Sequence, residues 1–184
     1  MCNEEQLIRQ LSNSATRERA FGILVQEFQE QLYWQIRRMV IDHDDTDDIL
    51  QNVFIKAWQG LDRFRGDSRL STWLYRIAAN ESINFLQSRK QFTVSLSDTG
   101  GTETDKLRQQ LESDPYFDGD ETELQLQLAV QSLPPKQRQV FNMKYFQEMK
   151  YEEISELLGT SIGALKASYH HAVQKITAFF EQSD

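Results

Sequence analysis

Residues 44–90 read DDTDDILQNVFIKAWQGLDRFRGDSRLSTWLYRIAANESINFLQSRK, and this stretch decides the fold. Its first part predicts a helix, because apolar residues recur at helical spacing through residues 49–58. Four aspartates within residues 44–48 suit the positive end of a helix dipole. Gly60 marks the expected C-terminal end of this helix.

A second helix is predicted to begin at Ser71, which is a favourable N-cap residue. A helical wheel divides its side chains into two groups. The first group is apolar and suited to a core: Leu70, Leu74, Ile77, Ala78 and Phe85. The second group carries an aromatic ring, a guanidinium and amides: Trp73, Arg76, Asn80, Asn84 and Gln87. Such groups stack on bases and bind phosphates, although surface helices also carry plain solvated polar faces.

These segments resemble region 2 of bacterial RNA polymerase sigma factors of the extracytoplasmic-function (ECF) group. The resemblance runs through DDILQNVFIKAW, LDRFRG and STWLYRIAANESINFL. It implies that the first segment docks on the clamp of the polymerase, and that the second opens the minus-ten element and holds a flipped base. The implied docking residues are Asp47, Asp48, Leu50, Gln51, Phe54 and Trp58. The implied minus-ten residues are Phe64, Arg65, Trp73, Arg76, Asn80 and Asn84.

The C-terminal part of the chain predicts a helix-turn-helix, with helices at 151–158 and 162–180 around a turn at 159–161. Two earlier helices are predicted at 121–133 and 135–146, the second starting on Pro135. Taken alone, this pattern fits a DNA-binding helix-turn-helix and also an ordinary small helical hairpin with a glycine turn. The residues expected to share its core are Ile154, Leu157, Leu158, Ile162, Leu165, Tyr169, Val173 and Ile176.

The segments LPPKQRQVFNMKYF and YEEISELLGTSIGALKASYHHA resemble region 4 of the same family. That region reads the minus-thirty-five element in the major groove. Ala167 and His171 stand where Ser and Arg are frequent in the family, so base preferences do not follow from the resemblance. The alternative for His170 and His171 is that both are exposed surface side chains that make no contact with DNA. The implied DNA-binding residues are Lys166, Ala167, Ser168, His170, His171 and Lys175.

The net charge of −8 is concentrated in the middle of the chain. Residues 91–123 carry nine acidic and two basic residues, whereas residues 63–90 carry six basic and two acidic ones. Local patches determine phosphate affinity, but the near-neutral flanking parts predict weak binding to DNA alone. Residues 91–123 are predicted to be an acidic flexible linker with a short helix at 105–111. This linker is either an inert tether or a segment that follows the RNA exit path of the polymerase.

The N-terminal part predicts a short helix at 4–11, a turn at 12–14 and a long amphipathic helix at 16–41. The long helix corresponds to the first part of region 2 in the resemblance. Its apolar face contains Phe21, Leu24, Val25, Phe28, Leu32, Ile36 and Met39.

Several classes of protein are disfavoured by the sequence. Cys2 is the single cysteine, so no disulfide forms within one chain, which fits a reducing cytoplasm. The polar start does not resemble a signal peptide, and no apolar run has the length of a membrane span. The acidic residues 42–48 lack the glycine and glutamate of a calcium loop, and no zinc spacing or catalytic motif is present. No catalytic residue, metal or cofactor is therefore expected.

The sequence predicts an all-α protein with region 2 at residues 1–90, the linker at 91–123 and region 4 at 124–184. The expected function is a cytoplasmic sigma subunit that directs core RNA polymerase to promoter DNA and helps to melt it. The resemblance also implies an anti-sigma factor as a partner. A stand-alone helix-turn-helix regulator is the main alternative, although it leaves residues 44–90 unexplained. A metal-dependent nuclease using residues 42–48 is a second alternative.

Overall fold

The computed structural model describes residues 4–64, 66, 68–94, 103–113 and 120–183. These residues form helices and turns, and no strand occurs among them, which confirms the all-α class. The chain divides into two compact units, Met1–Asn84 and Phe85–Asp184. The proposed domain limits at residues 90 and 123 remain a prediction.

The first unit is built on a helical hairpin. It contains α1 (Glu4–Ser12), α2 (Arg17–Val40), α3 (His43–Gly60) and the beginning of α4 (Leu70–Val94). A 3-10 turn, Leu61–Arg63, follows α3 directly. Helices α2 and α3 pack against each other, and α1 packs on α2. All four helices bury apolar side chains, among them Leu7, Leu24, Leu32, Ile36, Val53, Leu70 and Leu74.

The connection between α2 and α3 consists of Ile41 and Asp42. Ile41 is buried with φ +66°, a conformation that β-branched residues rarely adopt, and its N–H donates to Arg37 O at 2.9 Å. Asp42 caps α3, because its Oδ1 accepts a hydrogen bond from the Asp45 amide at 3.0 Å. The acidic start predicted for this helix is therefore confirmed, and the cap lies just before the four aspartates.

The prediction that Ser71 caps α4 is wrong. The helix begins at Leu70, and the Leu70 amide donates to Glu4 Oε1 at 2.5 Å. The carboxylate that satisfies this helix end therefore comes from α1, 66 residues away. Arg17 adds a second link to the same region, since its Nη2 lies 2.8 Å from Asp62 Oδ1 in the 3-10 turn.

Polar side chains also join α2 to α4. Gln35 is buried and donates from Nε2 to Tyr75 O at 3.2 Å. The Tyr75 hydroxyl donates to Gln31 Oε1 at 2.7 Å, and burial raises the pKa of Tyr75. The apolar face predicted for α2 is only partly buried. Leu24, Leu32, Ile36 and Met39 are buried, whereas Phe21, Val25 and Phe28 are half-buried.

The second unit gathers the remaining helices around the last one. They are α5 (Glu103–Glu112), α6 (Glu121–Ser132), α7 (Pro135–Tyr145), α8 (Tyr151–Leu158) and α9 (Ile162–Ser183). Helix α9 packs against α6, α7 and α8. Pro135 occupies the first position of α7, as predicted. The buried Arg138 donates to Leu133 O at 3.2 Å, which satisfies a carbonyl just beyond the end of α6.

The core of this unit differs from the predicted one at a single exposed position. Ile154, Leu157, Leu165 and Ile176 are buried, and Leu158, Ile162 and Tyr169 are half-buried. Val173 is 38% exposed, so its assignment to the core is wrong. The side of α9 that faces the core carries Leu165, Tyr169, Ala172 and Ile176, and residue 173 falls outside a stripe of this width.

The short helix predicted inside the linker is present as α5. It packs against α6 and buries Leu111. Arg108 Nη2 lies 2.7 Å from Glu121 Oε1 on α6. A hydrogen bond from Gln125 and the Arg108 guanidinium hold the pKa of Glu121 below its usual value. Residues 95–102 and 114–119 of the predicted linker lie outside the described residues.

Candidate nucleic-acid interface

The docking residues predicted on α3 are four exposed and two half-buried side chains. The exposed ones are Asp47, Asp48, Gln51 and Trp58. Leu50 and Phe54 are half-buried, and the ring of Phe54 meets Phe21 edge-on at a centroid distance of 6.4 Å. Trp58 also contacts Phe21, at 5.0 Å, yet 42% of Trp58 remains exposed. An aromatic surface is therefore available on this helix.

Ile55 adds to this surface and was not predicted. It is 48% exposed, which makes it the most exposed apolar residue described on α3. Its position, four residues after Gln51 and three before Trp58, places it on the same side of the helix. That spacing is the signal in the sequence that could have identified it.

Phe64 and Trp73 form an aromatic pair beside the 3-10 turn. Their ring centroids are 4.8 Å apart and the ring planes are tilted by 33°. Gly60 explains how the indole reaches this position, because a Cβ at Gly60 would lie 3.1 Å from Trp73 Cζ2. The helix α3 does end at Gly60, but the backbone there has φ −87°, so the residue is not a left-handed cap. The glycine is needed for close approach of the ring.

A groove of about 310 Å³ lies between α3, the 3-10 turn and α4. It is lined by Lys56, Gly60, Arg63, Trp73, Ile77, Asn80 and Glu81. Lys56 Nζ lies 2.5 Å from Glu81 Oε1, so an ion pair joins the two helices within the groove. Lys56, Arg63 and Glu81 were missed from the sequence, because each becomes relevant only when α3 and α4 are side by side.

The groove is lined by α4 residues from both groups of the helical wheel, the apolar group and the group with aromatic, cationic and amide side chains. Trp73 and Asn80, which were predicted to bind bases, both line it. Ile77 was expected on the core side of the helix, but it is only half-buried and also lines the groove. Arg76 is half-buried and Asn84 is exposed, and neither lines the groove. Arg65 lies outside the described residues.

The second unit contains the predicted helix-turn-helix. Gly159 has φ +63° and ends α8 in the left-handed conformation that favours glycine. Ser161 caps α9, because its Oγ accepts a hydrogen bond from the Ala164 amide at 3.3 Å. These two caps set the turn between the helices.

The outer side of α9 presents all six residues predicted to bind DNA. Lys166, Ala167, His170, His171 and Lys175 are exposed, and Ser168 is half-buried. Lys175 Nζ donates to Gln137 Oε1 on α7 at 3.0 Å, so it must exchange this partner to reach a phosphate. Lys166 Nζ lies 5.8 Å from the centre of the Tyr151 ring on α8. The two imidazoles have ring centroids 6.0 Å apart.

The acidic residues at the start of α3 are arranged as a helix terminus. Asp42 serves as the cap, and His43 Nε2 lies 3.5 Å from Asp47 Oδ2. The Tyr33 hydroxyl lies 2.7 Å from His43 Nδ1. No cluster of three or more His, Cys, Asp or Glu side chains in the described residues is arranged to hold a metal ion.

Within the described part of the chain, every helix is too short or too polar to cross a membrane.

Comparison with known proteins gives matches to both parts of the chain. The Sigma-70 region 2 model matches residues 24–92, and the Sigma-70, region 4 model matches residues 123–176. The RNA polymerase sigma-H factor of Pseudomonas aeruginosa is 31% identical over 178 residues, which cover 94% of this chain and 91% of the relative. The ECF RNA polymerase sigma factor SigW of Bacillus subtilis is 31% identical over 156 residues, with coverages of 82% and 83%. The fold is similar to that of the sigma factor RpoE in complex with the anti-sigma factor NepR from Bartonella quintana. That match has a TM-score of 0.68 and 20% sequence identity, covering 88% of this chain and 96% of that chain.

Proposed function

This chain belongs to the ECF group of sigma-70 RNA polymerase sigma factors, and we propose which of its residues perform each step of promoter recognition. The protein directs RNA polymerase to promoters for the initiation of transcription. It acts through binding alone and carries out no catalytic chemistry of its own. The first unit then has two tasks and the second unit has one.

The first task is docking on the polymerase through α3. The exposed Trp58 and Ile55 support this assignment, because aromatic and aliphatic anchors dominate many protein interfaces. The neighbouring carboxylates and amide supply the polar rim that such interfaces usually have. The proposed docking residues are Asp47, Asp48, Leu50, Gln51, Ile55, Phe54 and Trp58.

The second task is holding the separated minus-ten strand. The observation that carries the proposal is the groove that Trp73 and Asn80 both line, beside the ring of Phe64. Aromatic rings stack on bases that have left the duplex, and amides bind base edges. Arg63 adds an exposed cation at this groove for the backbone phosphates. The proposed strand-binding residues are Arg63, Phe64, Arg65, Trp73, Arg76, Asn80 and Asn84.

The third task is reading the minus-thirty-five element with α9. Its outer side combines two cations, two imidazoles and two small side chains, which allow close approach to a major groove. The proposed reading residues are Lys166, Ala167, Ser168, His170, His171 and Lys175.

An anti-sigma factor is the proposed regulatory partner, because the structurally similar RpoE was solved in complex with one. The proposed compartment is the cytoplasm, where promoter DNA and polymerase are found in bacteria. The partner and the compartment are both proposed for this chain by analogy with its relatives.

Promoter opening provides the direct test of the strand-binding assignment. Core RNA polymerase is combined with the full chain on a duplex promoter, and melting is measured by permanganate footprinting. The Asn80→Ala and Trp73→Ala variants should bind polymerase normally while lowering the melted fraction. The expected loss is about ten-fold, because base–aromatic stacking and base contacts contribute roughly 1–3 kcal/mol each. Gln29→Ala, which removes an exposed amide from α2, serves as the matched control.

A template with a premelted minus-ten bubble separates two roles. A residue that only helps opening should recover on the bubble, whereas a residue that holds the extruded base should remain defective. Normal melting by well-folded Asn80→Ala protein would show that this side of α4 is an ordinary solvated surface with no role in promoter opening. Because Trp73 packs on Phe64, a loss of thermal stability in its variant would leave Asn80 as the deciding residue.

A further inference from the structure

The groove contains an ion pair that the strand-binding assignment leaves unexplained. Lys56 Nζ and Glu81 Oε1 are 2.5 Å apart, and the Glu81 side chain is only 15% exposed, compared with 52% for Lys56. Among the described residues, Glu81 Oε2 has no hydrogen-bond partner. The pair with Lys56 therefore holds the carboxylate at a defined place in the groove, while Oε2 and a further lone pair of Oε1 remain available to accept hydrogen bonds.

A carboxylate at this place restricts which part of a DNA strand enters. Glu81 repels a backbone phosphate, because both groups are negatively charged. Ionised carboxylates only accept hydrogen bonds, and the Lys56 ammonium only donates them. The entering group must therefore present N–H donors toward Glu81 and an acceptor toward Lys56. A base edge satisfies this requirement and a phosphate does not.

Guanine has the edge that matches best. Its Watson–Crick edge carries the O6 acceptor next to two donors, N1–H and the N2 amino group. Adenine and cytosine place an acceptor ring nitrogen beside their amino group, and thymine has a single N–H between two carbonyl oxygens. Bases that have been flipped out are read through hydrogen bonds to this edge.

The other walls of the groove suit the flat faces of a base. Trp73 provides an aromatic surface and Ile77 an apolar one. The absence of a side chain at Gly60 lets the indole lie against α3, where a Cβ would come within 3.1 Å of it.

We infer that Glu81, supported by Lys56, determines base specificity in this groove and selects guanine in the separated promoter strand. The inference rests on the proposed function, because it requires that the groove takes a base from the minus-ten strand. It assigns a role to a residue outside the minus-ten set implied by the sequence resemblance.

The test uses polymerase holoenzyme assembled with the full chain. Forked templates carry a single-stranded minus-ten segment in which each position is replaced in turn by all four bases, and affinities are measured by competition. At one position, guanine should bind on the order of ten-fold more tightly than the other bases. In Glu81→Gln that preference should fall to about two-fold, because the amide replaces an acceptor oxygen with a donor. Glu30→Gln, an exposed glutamate on α2, is the matched control and should keep the full preference.

Inosine at the preferred position tests the contact itself, because it is guanine without the N2 amino group. Inosine should weaken binding several-fold with the parent protein and have little effect with Glu81→Gln, which is the coupling expected of two groups in contact. An equal loss in both proteins would overturn the inference, as would a base preference that Glu81→Gln leaves unchanged. If Glu81→Gln is poorly folded, Glu81→Asp replaces it, because the shorter carboxylate should reduce the same preference.

Different results would contradict strand binding by the groove and the specific role of Glu81. Holoenzyme that binds the forked templates no better than fully duplex DNA would contradict strand binding by the groove as a whole. Tight strand binding with a preference independent of residue 81 would contradict only the role of Glu81.

Discussion

At the scale of single residues, the absence of a Cβ at Gly60 determines how closely the Trp73 ring can approach α3. A Cβ at this position would lie 3.1 Å from Trp73 Cζ2, which is closer than a neighbouring carbon normally comes. The ring that would have to move is one wall of the groove and half of the Phe64–Trp73 pair. The consequence of a substitution should therefore appear in function more than in stability.

Gly60→Ala should leave the free energy of unfolding within about 1 kcal/mol of the parent, because the helical gain from alanine offsets the contact with the ring. The melted promoter fraction should fall, since the displaced indole enters the groove. Thermal unfolding and permanganate footprinting measure the two effects. Gly22→Ala is the matched control, because nothing lies within 4 Å of a Cβ there, and it should stabilise by about 0.5–1 kcal/mol. Normal melting by Gly60→Ala would show that the ring position is not required.

At the scale of elements, α1 is important for the start of α4. Glu4 accepts a hydrogen bond from the Leu70 amide, and Arg17 pairs with Asp62 in the 3-10 turn at 2.8 Å. The region 2 match begins at residue 24, so α1 lies outside the part of the chain that the family model covers. Helix α1 nevertheless holds the turn and the helix that together carry the groove.

Glu4→Ala should lower the free energy of unfolding by about 1 kcal/mol, because an N-terminal amide of α4 loses its acceptor. Glu5→Ala removes the same charge from the same helical turn and should cost less than about 0.5 kcal/mol, since its pair with Arg9 is exposed at 3.9 Å. Denaturant unfolding of both variants measures the difference. Equal losses would mean that the Glu4–Leu70 contact does not contribute to stability.

At the scale of the whole molecule, the distribution of charge separates a sigma factor from a regulator that binds DNA alone. The net charge is −8, and its excess lies in residues 91–123. Neither flanking part has the large positive charge that drives independent binding to duplex DNA. The polymerase is therefore expected to supply most of the affinity for the promoter.

The free chain should bind promoter duplex with a Kd in the micromolar range or weaker at physiological salt, which is typical of non-specific binding. Addition of core polymerase should produce specific binding that is tighter by several orders of magnitude. Fluorescence anisotropy with and without polymerase measures both states. Nanomolar, sequence-specific binding by the chain alone would instead support the stand-alone helix-turn-helix regulator.

Most helices and the family could be predicted from the amino-acid sequence alone. Helical spacing of apolar residues predicted α2 and α3 to within a few residues, because that spacing reflects which side each helix buries. The ordered segments between residues 47 and 86 and the later helix-turn-helix identified a sigma factor. Trp73 and Asn80 were predicted as base-binding residues from their aromatic and amide chemistry, and that role stays a prediction although both line the groove.

Contacts between side chains of different helices became known only from the packed structure. The first amide of α4 donates to Glu4, although the sequence had predicted a cap by Ser71. Lys56 pairs with Glu81, which is 25 positions away in the sequence. Ile77 lines a groove and Val173 is exposed, although both have the spacing of core residues. The physical reason is that periodicity describes one helix at a time. A groove, a cap from a distant helix or a space left by glycine depends on how two helices pack together.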